Sequence, residues 1–275
     1  MPRNQAEKHA AFRALHEREG AFLMPNPWDA GTARLLASCG FEALATTSAG
    51  VAFSTGRRDG PKGLTRDVVL ANAHTVVEAT DLPVSADLLN GFGHAPEACA
   101  ETVRAAIGAG LVGGSIEDAT GDAGAPQYSV EAAVERIAAA AEAARGQPFV
   151  LTARAENYLV GNPDLDDTIR RLRAYASAGA DVLYAPALPD LGAIQSVCAA
   201  VDRPVNVVMG LRPPYLSVTE LEAAGVRRIS VGGALARAAY GAVLRAAEEI
   251  RSEGTFSFAA AATSGAELAA RTTSR

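Results

Sequence analysis

Lysine is almost missing from this chain of 275 residues: only Lys8, in the first helical pattern, and Lys62, in a loop, occur. Neither stands at the end of an apolar run. That excludes chemistry through a buried amine, Schiff-base aldolases and pyridoxal-phosphate enzymes included. Cysteine is nearly as scarce. Cys39, Cys99 and Cys198 are scattered, odd in number and form no CxxC pair. They read as small packing residues in a reducing compartment, the cytoplasm, and not as disulfides or a zinc site. No apolar run reaches the ~18–20 residues a membrane span needs, and "MPRNQAEKHAAFRALHEREG" lacks the apolar core of a signal peptide. Excess positive charge is absent too. A net charge of −6 and a pI near 5.3 argue against nucleic acid or anionic membrane as a partner. There is no GK[ST] loop, and "GFGHAP" has Pro96 where a dinucleotide fingerprint needs its third glycine.

What is present is apolar material, 49% of residues, arranged with a beat. After an N-terminal amphipathic helix over about Gln5 to Arg18 come eight short apolar runs: "AFLMPN", "EALATTS", "PVSADLL", "LVGGSIED", "FVLTARAE", "DVLYAPAL", "RPVNVVM" and "RRISVGG". Longer helical patterns separate them, such as "TRDVVLANAHTVVEAT" and "LDDTIRRLRAYASAGA", and Gly40, Gly110, Gly146, Gly179 and Gly225 sit where helices should end. Strands alternating with helices mean βαβ units and a parallel sheet. Eight units in about 230 residues predict one (β/α)8 barrel over residues 1–255, close to the usual ~250; a doubly wound open sheet is the other arrangement of this pattern. The Ala/Ser/Thr-rich stretch 256–275 is expected to be a tail or a docking helix.

In a barrel the chemistry sits at the C-terminal ends of the strands. That rule selects Asn26 and Asp29, then Thr46, Thr47 and Ser48, then Asp87, Glu117 with Asp118, Arg154 with Glu156, Asn206, and Ser230 with Gly232 and Gly233. Asp59, in the glycine-flanked loop "STGRRDG", can reach the same face. Asp87 poses the sharpest question, because an ionised carboxylate at the edge of an apolar run needs a cation or a set of donors. Acids and one arginine converging on a barrel mouth suit a hard divalent cation beside an anionic substrate; a structural ion-pair network is the alternative. His9, His16 and His74 fall on helices as packing or surface residues, and His94 is a lesser candidate for substrate contact. "SVGGALARA" suits either a phosphate-holding turn or close packing.

The segments "NPWDAGTARLL", "ALATTSAGVAFSTGRRDG", "SADLLNGFG", "SIED" and "LTARAEN" together resemble the isocitrate lyase/phosphoenolpyruvate mutase superfamily, in the family's order, from about residue 10 to 250. The resemblance implies a (β/α)8 barrel with a C-terminal helix exchanged between subunits of a homodimer or homotetramer. It implies Mg²⁺ and a small 2-oxo acid of the pyruvate, oxaloacetate or 2-oxoglutarate class. By position, Asp87 matches the direct metal ligand, and Asp59 and Glu117 match acids that hold the metal through water. Thr47, Ser48 and Ala49 match the turn that binds the substrate's carboxylate and carbonyl oxygens. Arg154 matches an arginine beside the substrate oxyanion, and Asn206 a polar residue facing substrate.

Two departures bear on the reaction. Leu89 replaces the second acid of the family's D-x-[DE] pattern. The loop that carries a catalytic cysteine in the lyase branch reads "DATGDAGAPQYS", without Cys, Lys or His; a proton donor there is left to Tyr128, Asp122 or water. The expected activity is a Mg²⁺-dependent lyase on a small 2-oxo or 2-hydroxy di- or tricarboxylate, by C–C cleavage or decarboxylation through an enolate. The alternatives are P–C bond chemistry of the phosphoenolpyruvate mutase or phosphonopyruvate type, and a barrel that binds a 2-oxo acid without turning it over.

Overall fold

The computed structural model describes residues 2–273. Eight strands, β1 (Phe22–Met24), β2 (Leu44–Ala45), β3 (Val84–Asp87), β4 (Gly113–Glu117), β5 (Val150–Arg154), β6 (Val182–Tyr184), β7 (Val205–Val208) and β8 (Arg228–Ser230), form one parallel sheet in the order β1-β8-β7-β6-β5-β4-β3-β2. The sheet curls into a nearly closed barrel. At the seam between β1 and β2 the Ala45 amide donates to the Pro25 carbonyl at 3.1 Å. Asn26 completes the join: its Nδ2 donates to the Thr46 carbonyl at 3.0 Å, while its Oδ1 accepts the amides of Val231 (2.9 Å) and Gly232 (2.8 Å). One side chain thus ties three strand ends together.

The helices are α1 (Gln5–Glu17), α2 (Ala30–Ser38), α3 (Ser48–Ser54), α4 (Arg66–Glu78), α5 (Pro96–Gly108), α6 (Val130–Ala144), α7 (Leu165–Ser177), α8 (Leu191–Ala200), α9 (Val218–Ala223), α10 (Ala234–Glu253) and α11 (Gly265–Thr273). The eight expected strands all appear, each shorter than its apolar run. The (β/α)8 barrel reading is right in class, and the open doubly wound sheet is excluded by the β1–β8 pairing. The sequence reading missed α3, which follows β2 directly.

Two apolar layers hold the barrel. Outside the strands, residues such as Val76, Val103, Ile137, Leu172 and Ile194 pack helices onto the sheet. Inside, Phe22, Met24, Ala43, Val112, Val150 and Val182 meet Phe12 and Leu15 of α1, which closes the N-terminal end. A capping box between Asn4 and Glu7 starts α1, and the apolar spacing of Phe12 and Leu15 turns one face inward. Burying each contributes ~1.5–3 kcal/mol. Gly113 is small for the same reason: a Cβ there would lie 2.9 Å from the Phe12 ring.

Between this plug and the mouth lies a polar layer. Arg228 is buried, and among the described residues it has no carboxylate partner; Nε donates to Asn206 Oδ1 (2.8 Å), Nη2 to Thr152 Oγ1 (2.9 Å) and Nη1 to His16 Nε2 (3.3 Å). Burial pulls its pKa down to about 9. His16 Nδ1–H donates to the Phe12 carbonyl at 2.8 Å, so a neutral imidazole satisfies both neighbours; burial, with Arg228 nearby, pushes it down to about 3. At the other end of the chain, α11 lies against α2, and Arg34 Nη1 donates to the Thr272 carbonyl at 2.7 Å.

Candidate active site at the barrel mouth

Asp87 ends β3, where the chain turns sharply through Leu89 (φ 50°), Gly91 (φ 77°) and Phe92 (φ 60°). Its carboxylate is well supplied with donors. Oδ1 accepts from the Leu89 amide (3.2 Å) and from Arg154 Nη1 (3.2 Å), and Oδ2 accepts from the Ser48 amide (3.3 Å). The Ser48 donor comes from the first turn of α3, whose N-cap Thr47 accepts the Gly50 amide. Gly50 lets this turn approach closely: a Cβ there would stand 2.7 Å from both Thr47 Cγ2 and Trp28 Cβ. Gly233 is packed in the same way against Ala49, at 3.1 Å for an added Cβ, and the Gly232 amide is spent on Asn26. Close packing, not a phosphate turn, therefore accounts for these glycines.

Arg154, at the end of β5, is the hub. Besides Asp87 it meets Glu156 (Nε to Oε1, 2.8 Å) and Glu117 (Nη2 to Oε2, 3.4 Å), and its Cζ lies 4.9 Å from the Tyr184 ring centroid. The electrostatics are lopsided. Burial pushes Glu117 well above the ordinary carboxylate range, although Arg154 pulls the other way, and Glu156 is raised by the same causes. Burial also opposes the charge on Arg154, yet Glu156, Glu117 and Asp87 outweigh it and hold the guanidinium protonated more firmly than usual. Burial is the first cause of both carboxyl rises, and a single guanidinium shared among three acids offsets it only in part. Asp59 adds a fourth acid. It lies on an exposed loop, but its carboxyl leans against Ser48; partial desolvation and the nearby Asp87 raise its pKa.

Two hollows open here. A small one of about 60 Å³ lies between Asp87, Arg154, Asn206 and Arg228, with hydroxyls of Thr46, Ser85, Ser115 and Ser230 around it. A larger one of about 220 Å³ is bordered by Thr47, Ser48, Ala49, Asp59, Asp87 and Arg154. Of the residues singled out from sequence for metal and substrate, Thr47, Ser48, Ala49, Asp59, Asp87, Arg154 and Asn206 border one or both hollows, while Glu117 borders neither and joins them through Arg154. Asn206 faces the small hollow, and its amide is oriented by Ser230 Oγ (3.1 Å) and by Arg228. Tyr184 borders both hollows and was missed, because within "DVLYAPAL" it reads as one more buried strand residue.

Other expectations resolve differently. Leu89 is buried among Val51, Ala52, Leu64 and Val69, so its side chain faces a core and only its amide serves Asp87. The loop 118–129 folds back as a closed hairpin: Thr120 N–H donates to the Pro126 carbonyl (3.0 Å) and Tyr128 N–H to the Asp118 carbonyl (2.9 Å). Tyr128 Oη pairs with His94 Nδ1 at 2.7 Å while Arg136 stacks on its ring. Neither Tyr128, Asp122 nor His94 borders the hollows. Asp118 is structural. Its carboxylate accepts from the Glu156 amide (2.8 Å), Gln127 Nε2 (3.0 Å), Arg171 Nη1 (3.0 Å) and Tyr175 Oη (2.6 Å).

A family model described as phosphoenolpyruvate phosphomutase matches residues 12–251. The chain belongs to that family, within the isocitrate lyase/phosphoenolpyruvate mutase superfamily. A crystal structure from Burkholderia cenocepacia J2315, named only by class as a lyase/mutase, is 61% identical, with a TM-score of 0.95 over 98% of this chain and 97% of that one. The 2-methylisocitrate lyase of Escherichia coli K12 is 32% identical over 259 residues, 89% of this chain and 85% of that enzyme. The phosphoenolpyruvate phosphomutase of Streptomyces platensis subsp. rosaceus is 28% identical, with a TM-score of 0.84 over 96% and 94%. Lyases and mutases thus share this barrel.

Proposed function

We propose that the chain is a Mg²⁺-dependent carbon–carbon lyase acting on a small 2-oxo or 2-hydroxy acid. The observation that carries this is the cluster of acids around Arg154: three carboxyl groups share one guanidinium, with Asp59 beside them, an excess of oxygen donors over cations that a divalent ion would complement. The donor set fits Mg²⁺, which prefers oxygen ligands and keeps much of its water. Among the described residues no group of three or more His, Cys, Asp or Glu is placed to hold a metal ion by itself; in this reading Asp87 would hold the ion directly, and Asp59 and Glu117 would hold it through water. When bound, Mg²⁺ would supply Lewis-acid neutralisation of charge on the acid's oxygens.

The protein's own groups do the rest. First-turn amides of a helix have no intrahelical acceptor; Ser48 gives its amide to Asp87 and Gly50 to Thr47, and we assign that of Ala49 to the substrate carboxylate. Arg154 stands ready to stabilise the electron pair left when the bond beyond carbon 2 breaks, a preorganised charge in a site partly closed to water. Glu117 and Asp59, with raised pKa values, can hold or pass protons at its edge. Residues 1–255 form the catalytic unit in this reading, with 256–275 as a docking segment. Exposed Val243 and Leu244 on α10 (63% and 70%) support a homodimer or homotetramer with exchanged C-terminal helices. Among the described residues no helix is long and apolar enough to cross a membrane; the unpaired cysteines support a cytoplasmic enzyme.

The closed, lysine- and cysteine-free hairpin 118–129 favours a second reading, a barrel that binds its oxo acid without turnover. The deciding experiment is a calorimetric titration of pyruvate, oxaloacetate, 2-oxoglutarate and phosphonopyruvate, with and without Mg²⁺, on wild type and Asp87→Ala. Metal-dependent binding that vanishes in the variant supports the site; binding indifferent to both removes it. Turnover then separates enzyme from binder, and phosphorus NMR on phosphonopyruvate detects P–C cleavage.

A further inference from the structure

The 220 Å³ hollow has two unlike walls. One is the polar pole of Ser48, Asp59, Asp87 and Arg154. The other is built from Leu159, Pro186, Leu188, Met209, Leu211 and Pro214. Its volume lies below the ~300–1,000 Å³ of common ligand pockets, which admits a small acid and nothing the size of a nucleotide. The apolar wall carries one charge, Arg212, exposed at the rim with Nη2 donating to the Ala187 carbonyl at 2.8 Å. A carboxylate pressed against this wall would lose its water and would find a cation only at the rim, where Arg212 is already engaged by the Ala187 carbonyl. A hydrocarbon there gains affinity by roughly fourfold per buried methylene.

We propose, resting on the reading of the Asp87–Arg154 pole as a 2-oxo-acid site, that this wall is a hydrocarbon subsite. The substrate carries an alkyl group beyond its oxo-acid head, where the family resemblance led us to expect a second carboxylate. Leu159, Met209 and Leu211 are its specificity-determining residues. Ala187, at φ 66°, holds the turn that brings Pro186 and Leu188 to the same wall.

A matched pair of ligands tests this directly. 4-Methyl-2-oxopentanoate carries an isopropyl group where oxaloacetate carries its second carboxylate, so the two differ in charge at similar shape. Each is titrated calorimetrically with Mg²⁺ into wild type, Leu159→Lys, Arg212→Gln and Asp87→Ala, beside the series pyruvate, 2-oxobutanoate and 2-oxopentanoate. The branched acid should bind wild type at least ~10-fold tighter than oxaloacetate, and the series should gain about fourfold per methylene. Leu159 is 52% exposed, so its replacement leaves the core intact; the lysine should reverse the preference. Asp87-dependent binding with a flat series, or oxaloacetate binding tighter and losing that advantage in Arg212→Gln, overturns the subsite while leaving the oxo-acid site standing. If no acid binds in a manner that depends on Asp87, both readings fall together.

Discussion

Replacing Asp118 with asparagine keeps the shape of the side chain and removes the charge that four donors share. The carboxylate is 2% exposed, and its partner Arg171 is 8% exposed, left with Asp167 at 2.7 Å and the Tyr128 carbonyl at 2.9 Å. An amide offers one acceptor oxygen. If that oxygen keeps the Glu156 amide, its NH₂ confronts Arg171, Gln127 and Tyr175, all donors in the native arrangement. Breaking one side of a buried ion pair costs about 3–5 kcal/mol. At ~2–4 °C per kcal/mol for chains of this size, the melting temperature should fall by roughly 6–20 °C. Urea denaturation followed by circular dichroism measures the difference, and the midpoint should fall with little change in slope. A loss below about 1 kcal/mol would refute the reasoning, because it would mean the four hydrogen bonds are individually replaceable by water. Oxo-acid binding should weaken as well, since Glu156 and the hairpin lose a shared anchor.

Other perturbations have equally definite outcomes. His16 is held neutral in the fold at a pKa of about 3, so the unfolded chain binds the extra proton between pH 6.5 and 3; the stability this gives is present above pH 6.5 and is lost as pH falls through that window. The loss is on the order of 4–5 kcal/mol, and denaturation at stepped pH should show it shrinking in His16→Gln. Tyr184→Phe keeps the ring beneath Arg154 and should leave Mg²⁺-dependent oxo-acid binding within a few-fold by calorimetry; a larger loss would show that the hydroxyl itself holds the ligand. Gly50→Ala should cost about 1–3 kcal/mol in thermal stability and weaken oxo-acid binding, because the added methyl pushes the Ser48 turn away from Asp87. Stability unchanged within error would show that Trp28 can retreat.

The barrel was legible because parallel strands covered on both faces read as continuous apolar runs, and glycines at helix ends supplied the punctuation. Strand ends such as Asp87, Glu117 and Arg154 could be picked out once the barrel rule was applied. What spacing could not show was who meets whom across the mouth. Arg154 serving three acids, and Asp118 gathering Gln127, Arg171 and Tyr175, join residues up to 67 positions apart. Helix α3 escaped because "TSAGVAFS" is rich in small and β-branched residues with weak helix preference; the Thr47 cap and the burial of Val51 and Ala52 secure it. Leu89 read as a missing acid because a pattern records positions, while the positive φ at that turn directs the side chain into a core.

The barrel's weakest join lies directly beneath the proposed substrate turn. β1 and β2 share one backbone hydrogen bond and the reach of Asn26, whereas the other neighbouring strands share ladders. Thr47 to Ala49 begin two residues beyond that join, so an acid bound across the mouth would act as a clasp on a ring cut at one point. Local opening should then be concentrated at Ala45, whose amide makes the seam bond to Pro25, in the free protein and slowed there by ligand. Hydrogen exchange at the Ala45 amide would report occupancy of the site from the wall of the barrel itself, with the Thr46 amide, bonded to Ser85 of β3, as the internal reference; equal protection of Ala45 with and without ligand would show the ring to be closed already.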